Sequence, residues 1–490
     1  MKPKLPSDSP IHVSRRDAIR GGAGLGAAGL LGCGSAGGER QLRATSAVGT
    51  PRVAILGAGA GGIAAAYFLA GDCDVTIFES REKIGGHADT TTITYQGQSY
   101  AVDVGAQFFT PATHPIYVTL LEELGLYNAA NPGTNDQTIV APGSLDVFPY
   151  GGIFNAFSST MPYLTPLSAV DFAIYTQQAR NAILGNISWD TTVSAWIASL
   201  PLTDGFKQSI LFPWIAALIG TTHANAAVSS VRSILQTFAL AFPANLLQGA
   251  TTCNSKIGLQ GNLQTMLSSS PIASLQLNSP VQSLSFANGA WTVTTPAGSF
   301  GPFDAIVVNI PPHTSAGLLQ PLSWAADIVS FLQGYEYFSS RLVIHSDPAY
   351  VYWDRDFWAA YNAETTGLEC EGSVWLGAFQ PKLPNGGTVD VFKSWVNQRE
   401  VQPRNILAER TFLHPLITPS VIQATRSLNG VQGRNGLYFS GQHTTGMDLQ
   451  EAAVFSAMQV ADALAPSSAT LASLRARLQA NGLTGISYDP

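Results

Sequence analysis

Arg52-Val53-Ala54-Ile55-Leu56-Gly57-Ala58-Gly59-Ala60-Gly61-Gly62 is the stretch whose reading decides the fold. It opens with a short aliphatic run, as expected of a strand covered on both faces in a parallel sheet. The run stops at a glycine cluster, and residues 63–70, rich in Ala, Leu and aromatic side chains, have helical composition. A second strand is expected at 74–78, ending in Glu79. Strand, glycines, helix, strand and acid in this order form a dinucleotide-binding unit. Gly57 permits the tight turn from strand to helix, Gly59 lets backbone approach a pyrophosphate, and Gly62, beside Gly61, lets helix lie on strand. The helix N-terminus offers free amides and the positive end of its dipole to phosphate. Glu79, 22 residues after Gly57, lies where a carboxylate accepts both hydroxyls of an adenosine ribose.

The chain around this unit has 490 residues, 46% hydrophobic and 12% charged, enough apolar material for two or three domains. Such a composition excludes disorder, a disulfide scaffold and a collagen-like fibre. The net charge of -7 is scattered and leaves no basic face to track a phosphate backbone, so nucleic acid is not an expected partner. Lys2, Lys4, Arg15, Arg16 and Arg20 precede an uncharged Gly, Ala and Leu stretch from 21 to 32, the layout of an export signal. That stretch is too short to cross a bilayer core, which takes about 20 residues. Ser14-Arg15-Arg16-Asp17-Ala18-Ile19 resembles the twin-arginine export signal, and Leu30-Leu31-Gly32-Cys33 resembles a bacterial lipobox. The two resemblances imply a signal peptide over 1–32, lipid anchoring to a membrane through Cys33, a flexible tether over 33–50 and a periplasmic or membrane-anchored location. Cys73, Cys253 and Cys370 form no CxxC pair, which indicates neither a metal site nor a disulfide framework and leaves room for one bridge at most.

Glu79-Ser80-Arg81-Glu82-Lys83-Ile84-Gly85-Gly86-His87 resembles the second phosphate-side signature of the flavin amine oxidase superfamily. The resemblance implies FAD, with Glu79, Ser80 and Arg81 on the AMP ribose and the Gly85-Gly86 turn near the flavin pyrophosphate. Lys83 stands where that signature has Arg. His87 stands where it has Arg or Lys, which is similar to a bacterial subgroup of FAD proteins. His87 reads either as a cofactor contact or as a loop histidine bonded to nearby backbone. Asp103-Val104-Gly105-Ala106-Gln107-Phe108-Phe109 resembles the segment that passes close to the flavin ring, and Leu277-Asn278-Ser279-Pro280-Val281 ends in the valine whose main chain pairs with adenine. Phe303-Asp304-Ala305-Ile306-Val307-Val308-Asn309 resembles a later strand of the same domain. Gly436-Leu437-Tyr438-Phe439-Ser440-Gly441-Gln442 and Asp448-Leu449-Gln450-Glu451-Ala452-Ala453 resemble its last strand and a helix facing the ribityl chain. That makes Gly441, Gln442, Leu449, Gln450 and Glu451 expected contacts, although the family's acid is Gln442 here.

The fold implied is α/β: a Rossmann-like FAD-binding domain in three parts (51–112, 258–315 and 429–466) with an interleaved α+β substrate domain. The latter comprises a helical segment over 113–257 and a sheet over 316–428, and a tail helix lies within 467–490. Helices are expected at 117–124, 167–184, 193–200, 206–219 and 228–242, and strands at 341–345, 373–379 and 389–392. The apolar run 210–215 reads as core. The tail places Leu471, Leu474 and Leu478 on one helical face, for docking on the body.

No phosphate loop, nucleophile elbow, HExxH or zinc spacing is present in the sequence. His223, His313, His345, His414 and His443 are singly placed and read as structural groups. The family resemblance implies removal of a hydride from a small or lipid-like organic substrate to flavin N5, with the electron acceptor open. An FAD-dependent isomerase without net redox and a non-catalytic flavin-binding protein stand beside that reading. Two markers of true amine oxidases are replaced: their lysine near N5 falls at Arg341, which also reads as a strand-end ion pair, and their second aromatic wall falls at Leu449.

Overall fold

The computed structural model describes residues 49–128, 138–141, 154–158, 166–242, 252–366 and 368–490. The export signal over 1–32, Cys33 and the tether as far as residue 48 lie outside the described residues. Among the described residues no helix is long and apolar enough to cross a membrane, and Cys73, Cys253 and Cys370 are buried and unbridged.

The strand Arg52–Leu56 is flanked on both sides by parallel partners, and its Val53 to Leu56 are completely buried. A strand with two neighbours and helices over both faces has to be apolar throughout. Five parallel strands stand in the order Leu437–Phe439, Ala305–Val308, Arg52–Leu56, Asp74–Phe78, Ser274–Gln276. By position in the chain that is 5-4-1-2-3, so the winding reverses between Arg52–Leu56 and Ala305–Val308. A crevice opens at such a switch point, outside the carboxyl ends of the strands.

One core lies where the helices Ala60–Leu69, Gly258–Ser268 and Gln450–Leu464 cover this sheet, and the helix Ala469–Ala480 docks there through Leu471, Leu474 and Leu478. A second core covers the opposite face with a three-stranded antiparallel meander over Ser283–Ala287, Ala290–Thr295 and Gly298–Phe303 and the helices Pro312–Leu319 and Ala326–Gln333.

The other large sheet has six strands in the order Ile406–Pro415, Tyr337–His345, Phe392–Trp395, Glu369–Trp375, Tyr361–Thr366, Phe154–Ser158. Its pairs are antiparallel except the last, which is parallel. Its final strand comes from the segment read as helical. Helices of that segment pack against the sheet around Phe172, Tyr175, Trp196, Trp214 and Phe242, whose rings meet mostly edge to face. Phe212, Trp214 and Ile215 of the apolar run are buried there, as core.

Several expected elements shift; the strand read at 373–379, for one, runs over Glu369–Trp375 and gives way to a turn at Leu376–Ala378. The strand read at 389–392 begins only at Phe392, because Val389 and Val391 are buried in the core without joining the ladder. The helix read at 228–242 is divided: one helix ends at Val228, and the next runs over Val231–Phe238. Between them Ser230 donates its backbone N–H to Ile417 O at 2.7 Å, so that amide is committed elsewhere.

Candidate active site

A cleft of about 370 Å³ opens at the switch point, walled by Leu56, Gly57 and Gly59 from the first strand and turn and by Phe78 and Glu79 from the second strand. Gly57 adopts φ +97°, and a Cβ there would lie 2.6 Å from Asn309 O. Gly62 lies behind the turn, where a Cβ would stand 2.1 Å from Gly57 O; only glycine lets this helix approach this strand. Gly61 is pressed against Ser440 and Gly441. At Gly59, by contrast, a Cβ would meet only the Asn309 amide at 3.3 Å and Gly86 Cα at 3.9 Å, so this position opens toward the cleft.

The buried Glu79 carboxylate accepts hydrogen bonds from Ala58 N at 2.8 Å, Arg81 N at 2.9 Å and the Ser80 hydroxyl at 3.2 Å. Ser80 and Arg81 also line the cleft. Arg81 donates to Gly86 O at 3.0 Å and pairs with Asp89 at 3.4 Å, and the buried Asp89 also meets Lys83 at 2.6 Å and Arg410 at 3.4 Å. Three cations around one carboxylate pin the loop that carries Gly85, Gly86 and His87. Gly85 N donates to Ala58 O at 2.8 Å, which lays this loop beside the first glycine turn. Gly86, His87 and Val281 complete the expected residues that line the cleft.

Gly105, Ala106 and Gln107 sit behind that wall. Ala106 N donates to His87 O at 3.0 Å, and a Cβ on Gly105 would lie 1.9 Å from the same oxygen. The buried Lys393 ammonium, from the six-stranded sheet, donates to Gly105 O at 2.8 Å. Burial pushes this lysine down and the buried Asp103 opposes the shift. Gln107 donates to Asn254 Oδ1, while its Oε1 is buried without a protein partner. Gly441 N donates to Ser456 Oγ at 2.7 Å; Gln442, in the turn after the strand Leu437–Phe439, and Leu449 and Gln450, at the start of the helix Gln450–Leu464, are half-buried.

One expected contact needs correction, and the two readings of Arg341 separate. Glu451 is completely buried and accepts from Ile116 N at 3.0 Å, Tyr117 N at 2.8 Å and the Tyr488 hydroxyl at 2.8 Å, so it caps the helix Pro115–Glu123 instead of facing the cleft. Arg341 pairs with Glu409 at 2.7 Å and bonds Gln402, which is the strand ion-pair reading and not the flavin-side one.

His414 and Asp448 were missed as site residues. His414 Nδ1 lies 2.7 Å from Asp448 Oδ2, and its ring lies 5.0 Å from His87. One nitrogen or oxygen from each of these three side chains lies within 4.8 Å of the other two. Burial, then the neighbouring His414, lowers His87 to about 4, so it is neutral at physiological pH. Asp448 lies below its usual range: burial opposes this, but His414 and His87 outweigh it. The one local signal was strand alternation, which puts Arg410, Phe412 and His414 on one face.

These residues fit FAD. A turn that opens at Gly59, a buried carboxylate at the second strand's end and a loop laid beside the turn form a cradle for a dinucleotide diphosphate and ribose. The chain matches the family model described as flavin containing amine oxidoreductase over residues 60–388. It is 34% identical to tryptophan 2-monooxygenase of Pseudomonas savastanoi over 107 residues, 21% of this chain and 19% of that protein. The match thus spans about a fifth of that relative's length. Among solved structures it resembles a fatty acid isomerase from P. acnes (TM-score 0.61, 12% identity, 85% of this chain and 99% of that one). It also resembles a putative protoporphyrinogen oxidase from Exiguobacterium sp. 255-15 (TM-score 0.56, 14% identity, 85% and 99%). A family match over two thirds of the chain, on a fold whose switch point carries both glycine turns, places this protein in the flavin-containing amine oxidoreductases, a family of FAD-dependent oxidoreductases.

Proposed function

We propose that this protein oxidises a small or lipid-like organic substrate by removal of a hydride, with FAD held along the switch-point cleft. The observation that carries this reading is the convergence of Gly57, Gly59, Glu79, Ser80, Arg81, Gly86, His87 and Val281 on one cleft. Glu79 would hold the adenosine ribose, the turns at Gly59 and Gly86 the pyrophosphate, and Val281 the adenine. Gly105 to Gln107, Gly441, Gln442, Leu449 and Gln450 would lie along the ribityl chain and ring. Bound there, FAD supplies a two-electron acceptor; the chain's part is to orient substrate and exclude water.

Amine oxidation in particular lacks support, since Arg341 is committed to Glu409 and Leu449 offers no aromatic wall. Anaerobic screening of alcohols, unsaturated fatty acids, terpenoids, amines and amino acids tests the proposal: a substrate bleaches the flavin. A product of unchanged mass without net reduction would replace it with the isomerase reading.

We also propose export through the segment over 1–32, with lipid on Cys33, on the basis of the arginine pair and the lipobox resemblance. Replacing Arg15 and Arg16 by Lys is expected to trap the protein inside the cell; normal export of that variant would contradict the twin-arginine route.

A further inference from the structure

Three segments distant in sequence meet at the end of the cleft marked by His87 and Phe412. The strand Ile406–Pro415 turns alternate residues to one side. Of these, Arg410 reaches Asp89, Phe412 stands edge-on to His87 at 5.2 Å, and His414 lies 5.0 Å from the His87 ring. Asp448, just ahead of the helix Gln450–Leu464, meets His414 Nδ1 at 2.7 Å. The cluster adjoins the Gly105–Phe108 backbone, since Ala106 N donates to His87 O at 3.0 Å and the Gln450 amide donates to Phe108 O at 3.4 Å. That backbone is the stretch expected beside the flavin ring.

A carboxylate at Nδ1 fixes the tautomer that leaves Nε2 with the lone pair, and stabilises the imidazolium once a proton arrives. The His414 side chain retains 22% of its exposure, so the ring can be reached. The charged or titratable groups around it are Asp448, His87 with Arg81 behind it, and Tyr337, whose hydroxyl burial pushes up. The rest is aromatic: Phe338 stacks on His414 at 5.6 Å and Phe412 flanks it at 6.3 Å. Among the described residues, the carboxylate bonded to His414 is that of Asp448.

We propose that His414, oriented by Asp448, is the proton acceptor of the oxidation, and that the substrate is an alcohol or a saturated carbon pair bearing a C–H or O–H proton next to the hydride-donating carbon. This rests on the flavin reading above. One C–H bond breaks and its electron pair leaves with the hydride to the flavin, the two-electron acceptor. The neighbouring C–H or O–H bond breaks, its proton goes to His414 Nε2, and its electron pair becomes the new π bond. His414 afterwards returns the proton to water. Asp448 acts as a positioning residue.

The test uses the FAD-loaded protein and its FAD-free form, with diethyl pyrocarbonate as the probe, since that reagent acylates neutral imidazole nitrogen. Modification of His414, followed by peptide mass spectrometry, is expected to slow at least ~10-fold when FAD is bound. Asp448→Asn is expected to retain FAD yet be reduced more slowly by a compound that bleaches the wild type, and Asp448→Glu to recover part of the rate, because the carboxylate at Nδ1 fixes the ring that accepts the proton. With a compound that bleaches the wild type, His414→Gln and His414→Asn are expected to retain FAD yet undergo reduction ~10²-fold to 10⁴-fold more slowly. FAD uptake with unchanged His414 reactivity, reduction of Asp448→Asn at the wild-type rate, or reduction of His414→Gln at the wild-type rate would each overturn this proposal alone. Failure to take up FAD at all would overturn the flavin reading with it.

Discussion

Gly59 and Gly62 are three positions apart, yet a methyl group would have opposite consequences at the two sites. At Gly62 it would collide with Gly57 O at 2.1 Å, a backbone atom at the carboxyl end of the first strand that cannot step aside. Gly62→Ala is therefore expected to lose on the order of 3 kcal/mol of stability or more, read as a fall in the urea midpoint. At Gly59, φ is -76° and the nearest atom is an amide nitrogen at 3.3 Å, so Gly59→Ala is expected to keep its midpoint within about 1 kcal/mol while its methyl enters the diphosphate path. The sequence distinguished the two roles because each depends on local geometry that the glycine spacing imposes. The pairing of Asp448 with His414 is not legible in the same way, for the converse reason: 34 positions separate them, and no periodicity relates one face of a strand to a residue ahead of a helix.

Among the elements, the helix after Asp448 shows what a pattern can and cannot carry. The sequence placed its start and its apolar run, and Gln450–Leu464 forms with its N-terminus at the site. The direction of each side chain in its first turn depends on which element packs there, and Glu451 turns to the helix Pro115–Glu123. Burial raises the Glu451 carboxyl to about 7, with its hydrogen bonds opposing. A folded value above the unfolded value of 4.5 means that its contribution to stability is full below 4.5 and is lost as pH rises through 7. The wild type is thus expected to gain ~3 kcal/mol on Glu451→Gln between pH 8 and pH 4.5, which paired urea melts would measure. A constant difference across that range would contradict the assignment. Pairing is the other thing a pattern leaves out: buried Val389 and Val391 alternate as strand residues do, yet burial without a partner strand makes no ladder.

For the whole molecule, the order 5-4-1-2-3 makes the site, because only where the winding reverses do two neighbouring loops part and leave a crevice. The six-stranded sheet closes on it through Phe412, and its Lys393 holds Gly105 O behind the cleft wall. This architecture was readable as a family resemblance spread over distant blocks, whereas the parallel addition of Phe154–Ser158 to Tyr361–Thr366 was not, since nothing local in a short strand names its partner. The claim on which the account stands is that this crevice is built for FAD. Titration of the FAD-free protein with FAD, followed by quenching of flavin fluorescence in wild type and Gly59→Ala, tests it most directly. The account predicts saturable one-to-one binding by the wild type and at least ~10-fold weaker binding by a stably folded Gly59→Ala; absence of saturable binding by the wild type, or equal affinity in the two proteins, would contradict it.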